Sequence, residues 1–160
     1  MITTDIDNIP TIIVCVDATN VSECSLLYAC HLAKKNRYNV KILSVVEQSH
    51  QNLIFGAKAI GNEKRKLVET KLAKLLKKSF DETKIMPFLS VREGEIVKEI
   101  KKELEITPNC PMVVFGKSDN SRSDNVILPK VAQKLGSKKI KVPITIVPAH
   151  LPDSFYKNLI

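Results

Sequence analysis

Five short apolar runs punctuate the chain: TIIVCV (11–16), VKILSVV (40–46), IMPFLSV (85–91), PMVVFG (111–116) and VPITIVP (142–148). They are rich in β-branched residues and almost uninterrupted by polar ones. That pattern predicts strands covered on both faces, as in a parallel sheet. Segments of helical length separate them. SECSLLYACHLAKKN follows the first run, with Ser22 placed as an N-cap, Glu23 in the first turn and Lys34 and Lys35 in the last. After the second run, AKAIGNEKRKLVETKLAKLLKK (57–78) sets Ile60, Leu67, Leu72, Leu75 and Leu76 at broadly helical spacing. EGEIVKEIKKELE (93–105) places Ile96, Ile100 and Leu104 four residues apart, and LPKVAQKLG (128–136) ends on Gly136 as a C-terminal cap.

Strand and helix in alternation, joined by right-handed crossovers, predict an open α/β sheet with helices on both faces. No Pro- or Gly-rich linker divides the chain, so residues 1–160 are expected to form one domain with a C-terminal tail at 149–160. The two longest aperiodic connections, QSHQNLIFG (48–56) and KSDNSRSDN (117–125), both follow the carboxyl end of a predicted strand. Ligands of open parallel sheets sit beyond those ends, where the strand order reverses. Both loops therefore point to the expected site.

Charge changes the picture in one region. The chain of 160 residues carries a formal +8, and residues 57–78 hold eight basic residues against two acidic ones. A second basic group, Lys130, Lys134, Lys138, Lys139 and Lys141, lies near the end. Helical spacing puts most lysines of 57–78 opposite the leucines, so a solvated helix face accounts for them. Nucleic acid or an acidic partner is the alternative, and aromatic residues for base stacking are few. Cys15, Cys24, Cys30 and Cys110 form no C-x-x-C pair, and His31, His50 and His150 lie in three separate segments. Core thiols are expected, and no metal site. No run approaches the length of a membrane span, and MITTDIDNIPT lacks the basic end and apolar centre of a signal peptide. A cytoplasmic protein that does not engage membranes is expected.

TIIVCVDATNVSECSLLYACHLAKKNRYNVKILSVVE resembles the opening of universal stress proteins: a strand ending in Asp, a small hydroxyl-bearing loop, an Ala/Leu-rich helix and a second strand ending in Val and an acid. VREGEIVKEIKKE is similar to their third strand and helix, PMVVFGKSD to their fourth strand and loop, and VPITIVP to their last strand. The likeness spans about residues 10 to 148. It implies a five-stranded parallel sheet of order 3-2-1-4-5, of the adenine-nucleotide alpha-hydrolase-like (HUP) type, commonly dimeric. Edge pairing through strand five, helped by the apolar tail residues Leu151, Phe155, Tyr156, Leu159 and Ile160, is the homodimer expected. A tail docked on the body and a disordered tail are the alternatives.

The resemblance also implies a crevice for ATP or AMP. Asp17 and Val45 match the base-binding positions, Phe115 falls beside the adenine, and Gly116, Lys117 and Ser118 open the phosphate loop. The family's nucleotide-binding branch continues that loop as G-x-x-G-x9-G-[S/T]. Here the second glycine is replaced by Asp119, and the closing pair falls on Pro129 and Lys130. Counted back from the last strand it falls on Asn125 and Val126, and Gly136-Ser137 lies just before that strand, where a helix cap explains it. A glycine lets backbone N–H groups approach phosphate oxygens closely, and a side chain there competes for the space. The Asp119 carboxylate would repel a phosphate about 4 Å away by about 4 kcal/mol at an effective dielectric near 20. Lys117, Arg122 or a bridging Mg²⁺ would relieve that repulsion. Asp and Asn also cap helices, so SDNSRSDN equally reads as a turn-and-cap segment, and Asp17 as a cap for the loop that follows it.

The expected function is a regulatory binding module with ATP binding weakened or lost. An ATP- or AMP-binding stress protein with an atypical loop is one alternative, and nucleic-acid or acidic-partner binding through 57–78 another. A small phosphate-processing enzyme using Asp17 with Lys117 or Arg122 is a third. No nucleophile elbow, Walker loop or S-G-G-x-D-S motif accompanies these residues, so no catalytic residue is assigned.

Overall fold

The computed structural model describes residues 8–17, 23–46, 57–117, 131–133 and 140–159. In chain order the elements are β1 (Thr11–Asp17), α1 (Glu23–Asn36), β2 (Asn39–Val46), α2 (Ala57–Thr83), β3 (Phe88–Glu93), α3 (Ile96–Glu105), β4 (Val113–Gly116), β5 (Ile144–Val147) and α4 (Asp153–Asn158). The strands form one parallel sheet of order β3-β2-β1-β4-β5. This is the predicted architecture and the predicted strand order.

The apolar runs follow from the layering. From Ile12 to Val16 every side chain is at most 5% exposed, so β1 has no solvent face. Ile12, Val14 and Val16 pack with Leu26, Ala29 and Cys30 of α1 and Leu72 of α2. Ile13 and Cys15 pack on the other face with Val97 and Ile100 of α3 and with Val131. A strand clamped in this way cannot use the alternating pattern of a half-buried one.

The sheet edge departs from the pattern. The run 85–91 predicts a strand, but β3 begins three residues later and extends to Glu93. Helix α2 continues to Thr83, Lys84 leaves it at φ 63°, and Pro87 has no N–H to give a ladder. Phe88 and Leu89 are 58% and 42% exposed, and among the described residues no strand pairs with β3 on its outer side. Glu93 ends the strand and α3 starts only at Ile96, whereas helical spacing alone extends that segment back to Glu93. Ser22 and Gly136 lie outside the described residues, as does most of the predicted helix at 128–136, of which 131–133 is helical.

The tail is docked. Helix α4 lies on α1, with Tyr156 buried against His31 and Phe155 stacked on Tyr28 at 6.4 Å between ring centroids. Among the described residues no helix is long and apolar enough to cross a membrane.

Candidate functional site

The strand order reverses between β1 and β4: chain order runs outward to β2 and β3 on one side and to β4 and β5 on the other. In an open parallel sheet, a reversal of this kind is where ligands bind, so the carboxyl ends of β1 and β4 mark the candidate site. Register places the sequence candidates around that point. Asp17 is the last residue of β1 and lies beside Val45 of β2. Phe115 lies beside Cys15, and Gly116 beside Val147 of β5. The Lys117 N–H donates to the Val147 carbonyl at 2.7 Å, extending the β4–β5 ladder one residue past the strand.

The candidates differ in what they present. Val45 is 5% exposed and Phe115 is 2% exposed, and both side chains pack in the apolar layer under α3. What they offer the crevice is backbone. Lys117 is exposed. The Asp17 side chain, Ser118, Asp119, Arg122, Asn125 and Pro129 lie outside the described residues.

Sequence reasoning missed a charged cluster beside this point. Arg92 of β3 sits next to Val45 in register. Its Nε and Nη2 donate to Oε2 of Glu103 at 2.9 and 2.8 Å, while Ser90 Oγ donates to the same oxygen at 3.2 Å. Lys41 Nζ of β2 lies 2.9 Å from Glu103 Oε1 and donates to Thr107 Oγ1 at 3.2 Å. Glu99, one turn earlier in α3, lies 3.5 Å from Arg92 Nη1 and 2.6 Å from Lys102 Nζ. The Glu103 side chain is 1% exposed, against 25% for Arg92 and 22% for Lys41. Burial pushes the Glu103 carboxyl up, but the Lys41 ammonium and Arg92 guanidinium outweigh it and hold the group below its ordinary 4.5.

The missed signal was periodic. Glu99 and Glu103 fall on the same side of α3 as Ile96 and Ile100, while Lys41 and Arg92 interrupt otherwise apolar strand positions. The cluster braces β2, β3 and α3, from Lys41 in the first half of β2 to Arg92 beside Val45 near its carboxyl end. Gly94 completes the brace: it turns at φ +147° and donates its N–H to the Val46 carbonyl at 3.2 Å. No group of three or more metal-ligating side chains occurs among the described residues.

A doubly wound parallel sheet with its crevice at the β1/β4 reversal defines a nucleotide-binding-like α/β class. The profile of the universal stress protein family matches residues 8–148, and the chain belongs to that family. Comparison with curated proteins gave no match. Among solved structures, the universal stress protein UspA from Lactobacillus plantarum is similar at 13% identity and a TM-score of 0.60, over 86% of this chain and 97% of that one. The universal stress protein from Archaeoglobus fulgidus in complex with dAMP aligns at 11% identity and a TM-score of 0.59, over 87% of this chain and 97% of that one. A universal stress protein in complex with cAMP aligns at 16% identity and a TM-score of 0.53, over 89% and 98%.

Proposed function

We propose that the protein is a cytosolic, homodimeric regulatory module whose crevice keeps the base-binding half of a nucleotide site and has weakened or lost the triphosphate half. The observation that carries this reading is the contrast between the two halves. Asp17 and Val45 lie side by side in register, Gly116 ends β4 and Lys117 follows it directly. The loop beyond them reads Asp119 where a phosphate-binding loop needs glycine, and Pro129-Lys130 where it needs a glycine and a hydroxyl. The similar proteins solved with dAMP and cAMP carry a single phosphate each, which is the ligand size such a loop tolerates best. The open outer edge of β5, where Ile146 is 55% exposed, supports pairing of two copies through that strand. Lys66, Lys71, Lys74 and Lys77 of α2 are exposed, away from buried Leu72, Ser79 and Thr83, and serve as solvated charge, whereas Lys78 pairs with Glu23 of α1.

Isothermal titration separates the halves. Mg-ATP is expected to bind more weakly than low-micromolar, and Asp119→Gly to strengthen it by about tenfold or more, since removing one carboxylate near the phosphates relieves repulsion of a few kcal/mol. Low-micromolar affinity of the unaltered protein for Mg-ATP would overturn the reading.

A further inference from the structure

The C-terminal segment is fastened to α1 at several points. Past β5, the Ala149 carbonyl accepts the Cys24 thiol at 3.0 Å, and Leu151 packs against the apolar layer beneath α1. Helix α4 then lays the Tyr156 ring over His31, with centroids 5.2 Å apart and planes inclined by 21°. Tyr156 is 5% exposed and His31 9%. Docking therefore seals an ionisable ring inside the joint.

The geometry selects one protonation state. His31 Nδ1 is shut off from solvent and has no hydrogen-bond partner among the described residues. In neutral imidazole one nitrogen carries no proton, and leaving that acceptor unpaired costs little beside a buried, charged N–H with nothing to receive it. A cation would gain some attraction from the Tyr156 face. The sealed N–H would remain unsatisfied all the same.

The surrounding charges do not reverse this. Burial pushes the imidazole below its ordinary 6.5; Glu82 of α2 favours the protonated ring, and Lys34 of α1 opposes it. Glu82 and Lys34 are both exposed, as are Asp153 and Lys157 on α4. Burial holds the Tyr156 phenol in its neutral form, and Glu23 at the start of α1 pairs with Lys78 of α2. The sheet beneath α1 presents Ile12, Val14, Val114 and Val147, none of which titrates.

We propose that α4 is a pH-gated latch, docked on α1 while His31 is neutral and released as His31 takes a proton. The sign follows from proton counting. The docked state binds fewer protons than the released one, so docking is strongest above the ordinary histidine range and weakens as pH falls through it. Release uncovers the aromatic faces of Tyr28 and His31. It also frees Ala149, two residues beyond the Val147 carbonyl that holds the Lys117 N–H at the crevice.

Hydrogen–deuterium exchange on the full chain tests the latch, read as protection corrected for intrinsic exchange between about pH 7.5 and about pH 5.5. Amides of 153–159 are expected to lose protection several-fold on acidification while those of α3 keep theirs. His31→Phe, which retains a stacked ring without a titrating nitrogen, is expected to abolish the pH dependence. His31→Leu, which also lacks a titrating nitrogen, is expected to abolish it too. Constant protection of α4 in the unaltered chain overturns the latch, and so does an equal loss in His31→Phe. Should His31→Phe fail to fold, an equal loss in His31→Leu overturns it instead.

Discussion

Replacing Glu103 with Gln tests the charged cluster behind β2. The substitution keeps the shape of the side chain and removes its charge, leaving Arg92 and Lys41 facing a neutral amide. At an effective dielectric near 20, each contact of roughly 2.9 Å is worth about 6 kcal/mol of gross attraction. Desolvating the carboxylate, which is 1% exposed, takes back several kcal/mol. Removing one partner of a buried pair costs about 3–5 kcal/mol in general. Arg92 and Lys41 recover part of that here, because they are 25% and 22% exposed and water can reach them. The expected loss is therefore about 2–4 kcal/mol, a large share of the 5–15 kcal/mol that holds a typical domain together. Urea unfolding at neutral pH measures it directly, as a lower midpoint at unchanged slope.

A pH series adds an independent arm. The carboxyl titrates below its ordinary 4.5 in the folded chain, so its stabilisation is complete above that value and disappears as pH falls through the folded-state value. The unaltered protein should lose stability on acidification more steeply than Glu103→Gln. A neutral-pH loss under about 1 kcal/mol, with parallel acid limbs, would refute the reasoning and reduce the cluster to a surface ion pair.

Two further outcomes follow from local geometry. Gly94→Ala should cost about 1–3 kcal/mol in the same urea assay, since it forces a side chain into φ +147° with its Cβ 3.0 Å from Glu99 Oε1; unchanged stability would show that the turn relaxes freely. Thiol labelling followed by peptide mass spectrometry should find Cys15 and Cys30 protected until the chain unfolds. Burial pushes the Cys15 thiol far above its usual range and Cys30 up to about 12, although Ser79 and Thr83 oppose the latter shift. Labelling of native Cys15 or Cys30 as fast as the partly exposed Cys24 would contradict this.

What was legible in the sequence was what burial on two faces imposes. β1, β2 and β4 occupy the middle of the sheet, so nearly every position had to be apolar and the runs announced themselves. β3 was blurred because an edge strand tolerates exposed Phe88 and Leu89, and because the helix exits at Lys84, just before an apolar run that also contains Pro87. Glu103 was illegible for a different reason. In KKELE it looks like one more solvated charge, and only the register of Lys41 against Phe88 and of Arg92 against Val45 brings two cations beneath α3 to meet it. The tail posed the same difficulty: burial of Tyr156 depends on His31, which lies 125 positions earlier in the chain. Of the candidate site, strand ends could be read because they follow apolar runs. The chemistry of the connecting loop could be read only as letters.

The cluster and the crevice are close in the fold but should be separable in energy, and that separation bears on how the family's site has changed here. The β2 side of the crevice is backbone, fixed by ladder bonds to β1 and β3 and stiffened from behind by Arg92 and Glu103. The β4 side is also fixed by backbone, through Val147 and Lys117. A frame held this way cannot widen or twist to accommodate a misfitting phosphate chain without breaking paired groups, each worth about 1 kcal/mol or more. Discrimination between nucleotides must then come from the side chains after Lys117, where Asp119 stands. Asp119→Gly should accordingly change ligand affinity at unchanged stability, and Glu103→Gln should change stability first. A binding change in Glu103→Gln as large as that in Asp119→Gly would mean that the frame itself yields, and that the loop chemistry is not what sets the affinity.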